Sequence, residues 1–287
     1  CTAMRKYGLY LLLMLLLFGS CVFNAGCSDK RPSSADSTSV AGTPQTDTLS
    51  PEDSIIAEQP MPKAADELFD DFFFNFAANR KLQRDRINFP LKVFQNGKLA
   101  RNIEKNQWRM DHFFMRQDYY TLIFDSQKQT ELVKDTSVSH VVVEKISLRK
   151  KMVKQYVFDR VNGQFRMTSI NIHAISKNNN ASFLKFYERF ATDTAFQIRS
   201  MANEVTFTSP NPDNDFENQT GVILPEQWPF FKPALIPSGE IYNIIYGQTY
   251  KESNYKIFII RGIANGQEID FTFRRHGKRW KLTKFTT

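Results

Sequence analysis

The sequence predicts an α+β protein made of two tandem modules, each a long helix packed on an antiparallel sheet. Three observations predict it. Apolar residues stand at helical spacing, later runs alternate apolar and polar residues at the strand period, and both patterns recur in the same order about 115 residues on.

The helix comes first in each copy. Phe69, Phe72, Phe73, Phe76 and Ala77 occupy one helical face, and Phe183, Phe186, Tyr187, Phe190 and Ala191 repeat it. An amphipathic helix of about five turns is expected at each place. A short strand and a short Trp-containing helix should follow, since Gln107-Trp108 is matched by Gln227-Trp228. Next, Tyr120, Leu122, Ile123 and Phe124 match Tyr242, Ile244, Ile245 and Tyr246. Tyr156-Val157-Phe158 matches Phe271-Thr272-Phe273, and Phe165-Arg166-Met167-Thr168 matches Trp280-Lys281-Leu282-Thr283.

Alternation places strands near 119–124, 137–147, 151–160 and 164–172, and again near 240–247, 254–263, 268–275 and 279–286. Val161-Asn162-Gly163, Asn265-Gly266 and His276-Gly277-Lys278 supply turns between them. Lys177-Asn178-Asn179-Asn180 divides the copies into modules 65–176 and 177–287.

Composition agrees with a packed, basic, cysteine-free fold. A chain of 287 residues has room for two modules, and 26 phenylalanines suit a sheet-rich core. The formal charge is +8, and residues 65–287 alone carry +9, a balance that favours anionic partners. All three cysteines, Cys1, Cys21 and Cys27, precede the modules, which excludes a disulfide framework, a thiolate zinc site and a cysteine nucleophile from them.

The cysteines belong to a different story. Met4-Arg5-Lys6 reads as the start and positive region of a secretory signal, with Cys1-Thr2-Ala3 left from upstream. The apolar run from Leu9 to Phe18 has the length of a signal core and falls short of the ~20 residues of a membrane span. Gly19-Ser20-Cys21 and Ala25-Gly26-Cys27 resemble the lipobox of bacterial lipoproteins. That resemblance implies a signal peptide over 1–27 and acyl groups such as palmitate on Cys27, where polar Ser28-Asp29-Lys30 begins at once, with Cys21 the alternative.

Residues 28–64, rich in Ser, Thr, Pro and Asp, read as a disordered linker. Asp36-Ser37-Thr38, Asp47-Thr48-Leu49 and Asp53-Ser54-Ile55 resemble the O-glycosylation motif of Bacteroidota, which implies modification at Ser37, Thr48 and Ser54. An unmodified polar spacer is the other reading.

A long helix laid across a sheet, with a small helix between the first strands, resembles the nuclear-transport-factor-2-like fold, which implies two tandem cone-like modules, each a long helix packed on a curved antiparallel sheet. With lipobox and stalk added, the chain resembles a family of Bacteroidota lipoproteins classed as a domain of unknown function, DUF4348. The resemblance implies an exported protein, lipid-anchored in the cell envelope at the outer membrane, on its periplasmic side or surface. Asp29 is followed by Lys30-Arg31 rather than the acidic residues usual in surface lipoproteins of this group.

Chemistry is sparse. No GxSxG, P-loop, HExxH or GxGxxG motif occurs in the modules, so no catalytic residue, metal site or cofactor is assigned. His140, His173 and His276 stand singly, and the neighbours Asp111 and His112 do not share a helix face. Trp108 and Trp228, equivalent in the two copies, are the candidate pocket aromatics, stacking on a ligand in each cone or capping each core.

The reading is therefore a non-catalytic ligand-binding or assembly module, its partners being membrane lipid through the acyl anchor and an envelope ligand or protein, with no nucleic acid. It is expected to be a monomer whose modules pack as an intramolecular pseudo-dimer. The alternative is a hydratase- or isomerase-like or glycan-acting enzyme using one cone. Cones filled by phenylalanine favour the first; open cones lined by converging carboxylates, histidines or tyrosines favour the second.

Overall fold

A computed structural model describes residues 66–248 and 253–287. The signal, linker and lipobox readings, with Cys21, Cys27, Ser37, Thr48 and Ser54, lie outside the described residues. Among the described residues no helix is long and apolar enough to cross a membrane.

The chain opens with α1 (Phe69–Ala78) and α2 (Arg80–Arg86), then the hairpin β1 (Ile87–Gln95) and β2 (Lys98–Ile103). A 3-10 turn at Phe113–Arg116, β3 (Tyr119–Phe124) and α3 (Gln127–Thr130) follow. The first half ends with β4 (His140–Ser147), β5 (Met152–Val161) and β6 (Gln164–Ala174).

The second half repeats this order with α4 (Ala181–Phe190), α5 (Thr194–Arg199), β7 (Met201–Asn211), β8 (Asn214–Ile223) and α6 (Trp228–Phe231). It closes with β9 (Glu240–Ile245), β10 (Tyr255–Gly262), β11 (Glu268–His276) and β12 (Arg279–Thr286).

The expected five-turn helix is two helices in each half. Asn79 sits in extended backbone and its Oδ1 accepts the Leu82 N–H at 2.9 Å, capping α2. Asp193 does the same for Phe196 at 2.8 Å ahead of α5. A side-chain oxygen that satisfies an orphan N–H stabilises a new helix start by about 1 kcal/mol, so each Asx ends one helix and begins the next.

The sheets are mixed rather than antiparallel throughout. The first runs β2-β1-β6-β5-β4-β9 and the second β8-β7-β12-β11-β10-β3. In each, the hairpin that follows the helices joins by a parallel pairing, β1 with β6 and β7 with β12. Both parallel pairs are interrupted alike: Ile87 faces Met167 and Lys92 faces Ser169, while Met201 faces Leu282 and Thr206 faces Lys284. Five residues on one strand span two on the other, a bulge that bends the sheet over its helix. Asn96-Gly97 and Asn162-Gly163 take the left-handed conformations that two-residue hairpins of this hand require.

One of the two outer strands of each sheet comes from the opposite half. β3 pairs with β10, Ile123 facing Phe258, and β9 pairs with β4, Ile244 facing Val143. β3 and β9 cross without a ladder. Thr121 Oγ1 accepts the Tyr242 N–H at 3.0 Å, and the Ile123 N–H donates to Asn243 Oδ1 at 2.9 Å.

One core gathers Phe69, Phe72, Phe73 and Phe76 of α1 with Phe158 and Phe165; the other gathers Phe183, Tyr187 and Phe190 of α4 with Phe271 and Phe273. Each such side chain contributes roughly 1.5–3 kcal/mol of burial, so α1 and α4 are held by packing rather than by propensity. Their rings meet edge-on, as Phe76 does with Phe158 and Phe190 with Phe273, both at 88°.

Candidate functional site

The concave face of each sheet is closed by its helices and filled by aromatic side chains, so the grooves worth attention lie at the rims. One opens at the rim of the first half, where the segment after β2 crosses the end of the sheet. It has a volume of about 420 Å³ and is lined by Trp108, Asp111, His112, Lys145 and Lys154 among others.

Trp108 lies in irregular backbone ahead of the Phe113–Arg116 turn, not on a helix as expected. Its indole is half-buried and donates to Gln83 Oε1 at 3.1 Å. Gln83, buried on α2, also accepts the Asp111 N–H at 3.1 Å and donates to the Asp111 carbonyl at 2.7 Å. One glutamine thus fixes the crossing segment at two points.

Asp111 is the polar centre of this rim. Its Oδ1 accepts the Phe113 N–H at 3.0 Å, its Oδ2 accepts the Tyr156 hydroxyl, and Lys154 Nζ stands 3.6 Å from Oδ2. Burial pushes the Asp111 carboxyl up, but the Tyr156 hydrogen bond and the Lys154 charge outweigh it and hold the group below its ordinary value. Burial, then the Asp111 charge, pushes the Tyr156 phenol up, and burial lowers Lys154. Lys154 also lies over the Tyr156 ring at 4.4 Å. The result is an ionised carboxylate whose oxygens are engaged beside a protonated phenol, an arrangement that orients the rim.

Trp228 has a different setting. It heads α6, is fully buried, and donates to Gln197 Oε1 at 2.9 Å, while Gln197 Nε2 donates to the Phe190 carbonyl at 2.7 Å. The two tryptophans therefore share a glutamine partner on the second helix and differ in exposure. Sequence reasoning missed Gln83 and Gln197, although they stand at the same spacing as Phe69 and Phe183 and could have been found in the same repeat.

The remaining sequence candidates do not converge. His140, exposed at the start of β4, meets Asp159 at 2.7 Å, His173 Nδ1 lies 2.9 Å from the Ala174 carbonyl, and His276 is exposed at a turn. Among the described residues no cluster of three His, Cys, Asp or Glu side chains is placed to hold a metal.

Two mixed sheets, each crossed by paired helices, define a protein of the nuclear-transport-factor-2-like fold. A crystal structure of an NTF2-like protein from Bacteroides fragilis NCTC 9343 superposes with a TM-score of 0.73 at 40% sequence identity, covering 79% of this chain and 98% of that one. The chain belongs to the domain-of-unknown-function family DUF4348, whose model matches residues 48–287. No curated protein matches it.

Proposed function

We propose that the chain is an exported lipoprotein of the cell envelope, anchored through acyl groups on Cys27 or, alternatively, Cys21. Residues 65–287 form a non-catalytic ligand-binding or assembly module built of two tandem cones, 65–176 and 177–287, packed as an intramolecular pseudo-dimer. The matched strand orders β2-β1-β6-β5-β4 and β8-β7-β12-β11-β10 support the two-cone reading.

The non-catalytic part rests on one observation: both concave sheet faces are occupied by the chain's own aromatic side chains. A buried ring leaves no volume for a substrate, so ligands and partners meet the rims and outer faces. The enzyme reading has Asp111, Lys154 and Tyr156 in its favour, which converge at one rim; it requires Asp111 to exchange its bond to Tyr156 for one to substrate.

Two experiments test the proposal. Cells fed a clickable palmitate analogue should label the chain, with the label lost in Cys27→Ser and kept in Cys21→Ser; the reverse moves the anchor to Cys21, and no label overturns it. Native mass spectrometry of the full chain recovered from envelope extract should then show a retained ligand or protein. Turnover of such a ligand, abolished by Asp111→Asn, would replace the binding module by an enzyme.

A further inference from the structure

A second groove, of about 570 Å³, runs along α4 between α5 and the β11–β12 hairpin. Six cations border it: Lys185 and Arg189 on α4, Arg199 on α5, and Lys278, Arg279 and Lys281 on the hairpin and β12. Asp193 pairs with Arg189 and with Arg199, and Lys281 Nζ is spent on the carbonyls of Arg199 and Met201. Lys185, Lys278 and Arg279 are exposed and meet no carboxylate among the described residues.

The groove also holds a hydroxyl with a set direction. Ser182 Oγ accepts from Arg275 Nη1 at 3.1 Å and from Trp280 Nε1 at 3.3 Å. A serine oxygen has two acceptor positions, so both are filled and its own proton points to a third place, one helical turn from Lys185. Half-buried Phe186 supplies an apolar wall beside it.

The fold does not demand these charges. At the spacing that matches Phe69 to Phe183, the partners of Ser182, Lys185 and Arg189 are Leu68, Asp71 and Asn75. At the spacing that matches Phe165 to Trp280, the partners of Lys278 and Arg279 are Gly163 and Gln164. Lys281 alone has a cationic counterpart, Arg166, which bonds the Asp85 carbonyl as Lys281 bonds that of Arg199. The core pattern is kept in both halves, while Lys185, Arg189, Arg199, Lys278 and Arg279 are charges that the second half alone carries at these positions.

From this the geometry points to a binding site for a carboxylate-bearing saccharide in the α4 groove. It deepens the binding-module reading by naming a ligand class. The cations come one at a time from several elements, which suits a chain carrying one charge per ring better than a single doubly charged phosphate cradled at one point. Arg279 offers a planar fork to one carboxylate, Lys185 and Lys278 offer single charges to others, Ser182 donates its proton to an acidic oxygen, and Phe186 meets the apolar face of a sugar ring.

The test is calorimetry on the full chain in mild detergent with trigalacturonate, maltotriose and citrate as probes. Trigalacturonate should bind with an affinity that falls as salt rises, and Lys185→Gln combined with Arg279→Gln should weaken it at least about tenfold. Both residues are exposed, so the variant should melt like the parent. Maltotriose and citrate should bind at least about tenfold more weakly, because one lacks the charge and the other the rings. Absent binding of trigalacturonate, binding unaffected by the double variant, or equal binding of either control overturns the proposal. Palmitate labelling is read separately, so an anchored chain that ignores trigalacturonate would refute the ligand and leave the anchor standing.

Discussion

Trp228 and Gln197 are joined by a buried hydrogen bond of 2.9 Å, while their counterparts Trp108 and Gln83 make the same bond at 3.1 Å in a half-buried setting. The difference in burial predicts a difference in cost. Trp228→Ala empties a packed core and strands a buried amide, and should destabilise by roughly 3–5 kcal/mol. Trp108→Ala should cost less, about 1–2 kcal/mol, because water replaces part of what the indole covers. Urea denaturation of the two variants checks the order; equal losses would mean that Trp108 is as deeply structural as Trp228.

Glu144 is buried at 1% exposure and receives three side-chain amides: Gln155 and Asn178 donate to Oε1 at 2.9 and 2.7 Å, and Asn243 donates to Oε2 at 2.9 Å. Glu144→Gln sets an NH2 group against at least one of these donors. Asn243 cannot simply turn over, because its Oδ1 accepts the Ile123 N–H. The expected loss is about 1–3 kcal/mol, read as a lower urea midpoint. An unchanged midpoint would show that the carboxylate is not what orders the three amides.

Lys256, at 2% exposure, is paired with Asp125 and also donates to Asn180 Oδ1 at 2.6 Å. Burial lowers the lysine, and the Asp125 bond opposes that shift. Lys256→Met should therefore cost roughly 3–5 kcal/mol by leaving Asp125 uncompensated. Adding Asp125→Leu should recover most of it, since an apolar pair needs no desolvation of charge. A double variant as unstable as the single one would locate the effect in packing or in Asn180 instead.

Asp270 has a buried Oδ1 with no hydrogen-bond partner among the described residues, and burial together with the Glu268 charge pushes its carboxyl up to about 6. The folded state thus holds this proton more tightly than the unfolded chain. Its contribution to stability is complete below the ordinary aspartate value of 3.8 and is lost as pH rises through about 6. Asp70, also raised to about 6 by burial against the Tyr246 hydrogen bond, acts in the same direction. Asp270→Asn should accordingly stabilise the protein by about 1–3 kcal/mol near neutral pH and make little difference near pH ~4. Thermal melts of both proteins across that window give the answer, and a pH-independent gap between them would discard the titration argument.

Much of this fold is written in the period of its apolar residues. The faces of α1 and α4 and the strands at 119–124 and 279–286 coincide with the expectations, because burial on one side leaves a direct trace in the sequence. The helix breaks were hidden because the apolar stripe runs past Asn79, and only the capping chemistry of that residue marks the interruption.

The exchange of β3 and β9 was hidden because a period says which face is buried and not which strand lies alongside. Yet β3 carries a hint: Leu122 and Phe124 enter one core and Ile123 the other, so apolar residues run without alternation. At the rims, both tryptophans stood out by type, but the partners of Asp111 come from β5, far along the chain, and only the folded sheet brings them together.

The exchange also predicts how the halves behave apart. A fragment covering 177–287 keeps β10 and β9 but loses β3 from one side and β4 from the other, which leaves two apolar strand edges open. Open, buried-type edges recruit a partner. The equivalence of β3 and β9 offers one: β9 of a second fragment can take the place of β3 beside β10. The fragment should therefore be a dimer or an aggregate, while co-expression with 66–176 should restore a stoichiometric, soluble pair. Light scattering after size-exclusion chromatography distinguishes these states, and a folded monomeric fragment would mean that each half closes its own sheet when the other is absent.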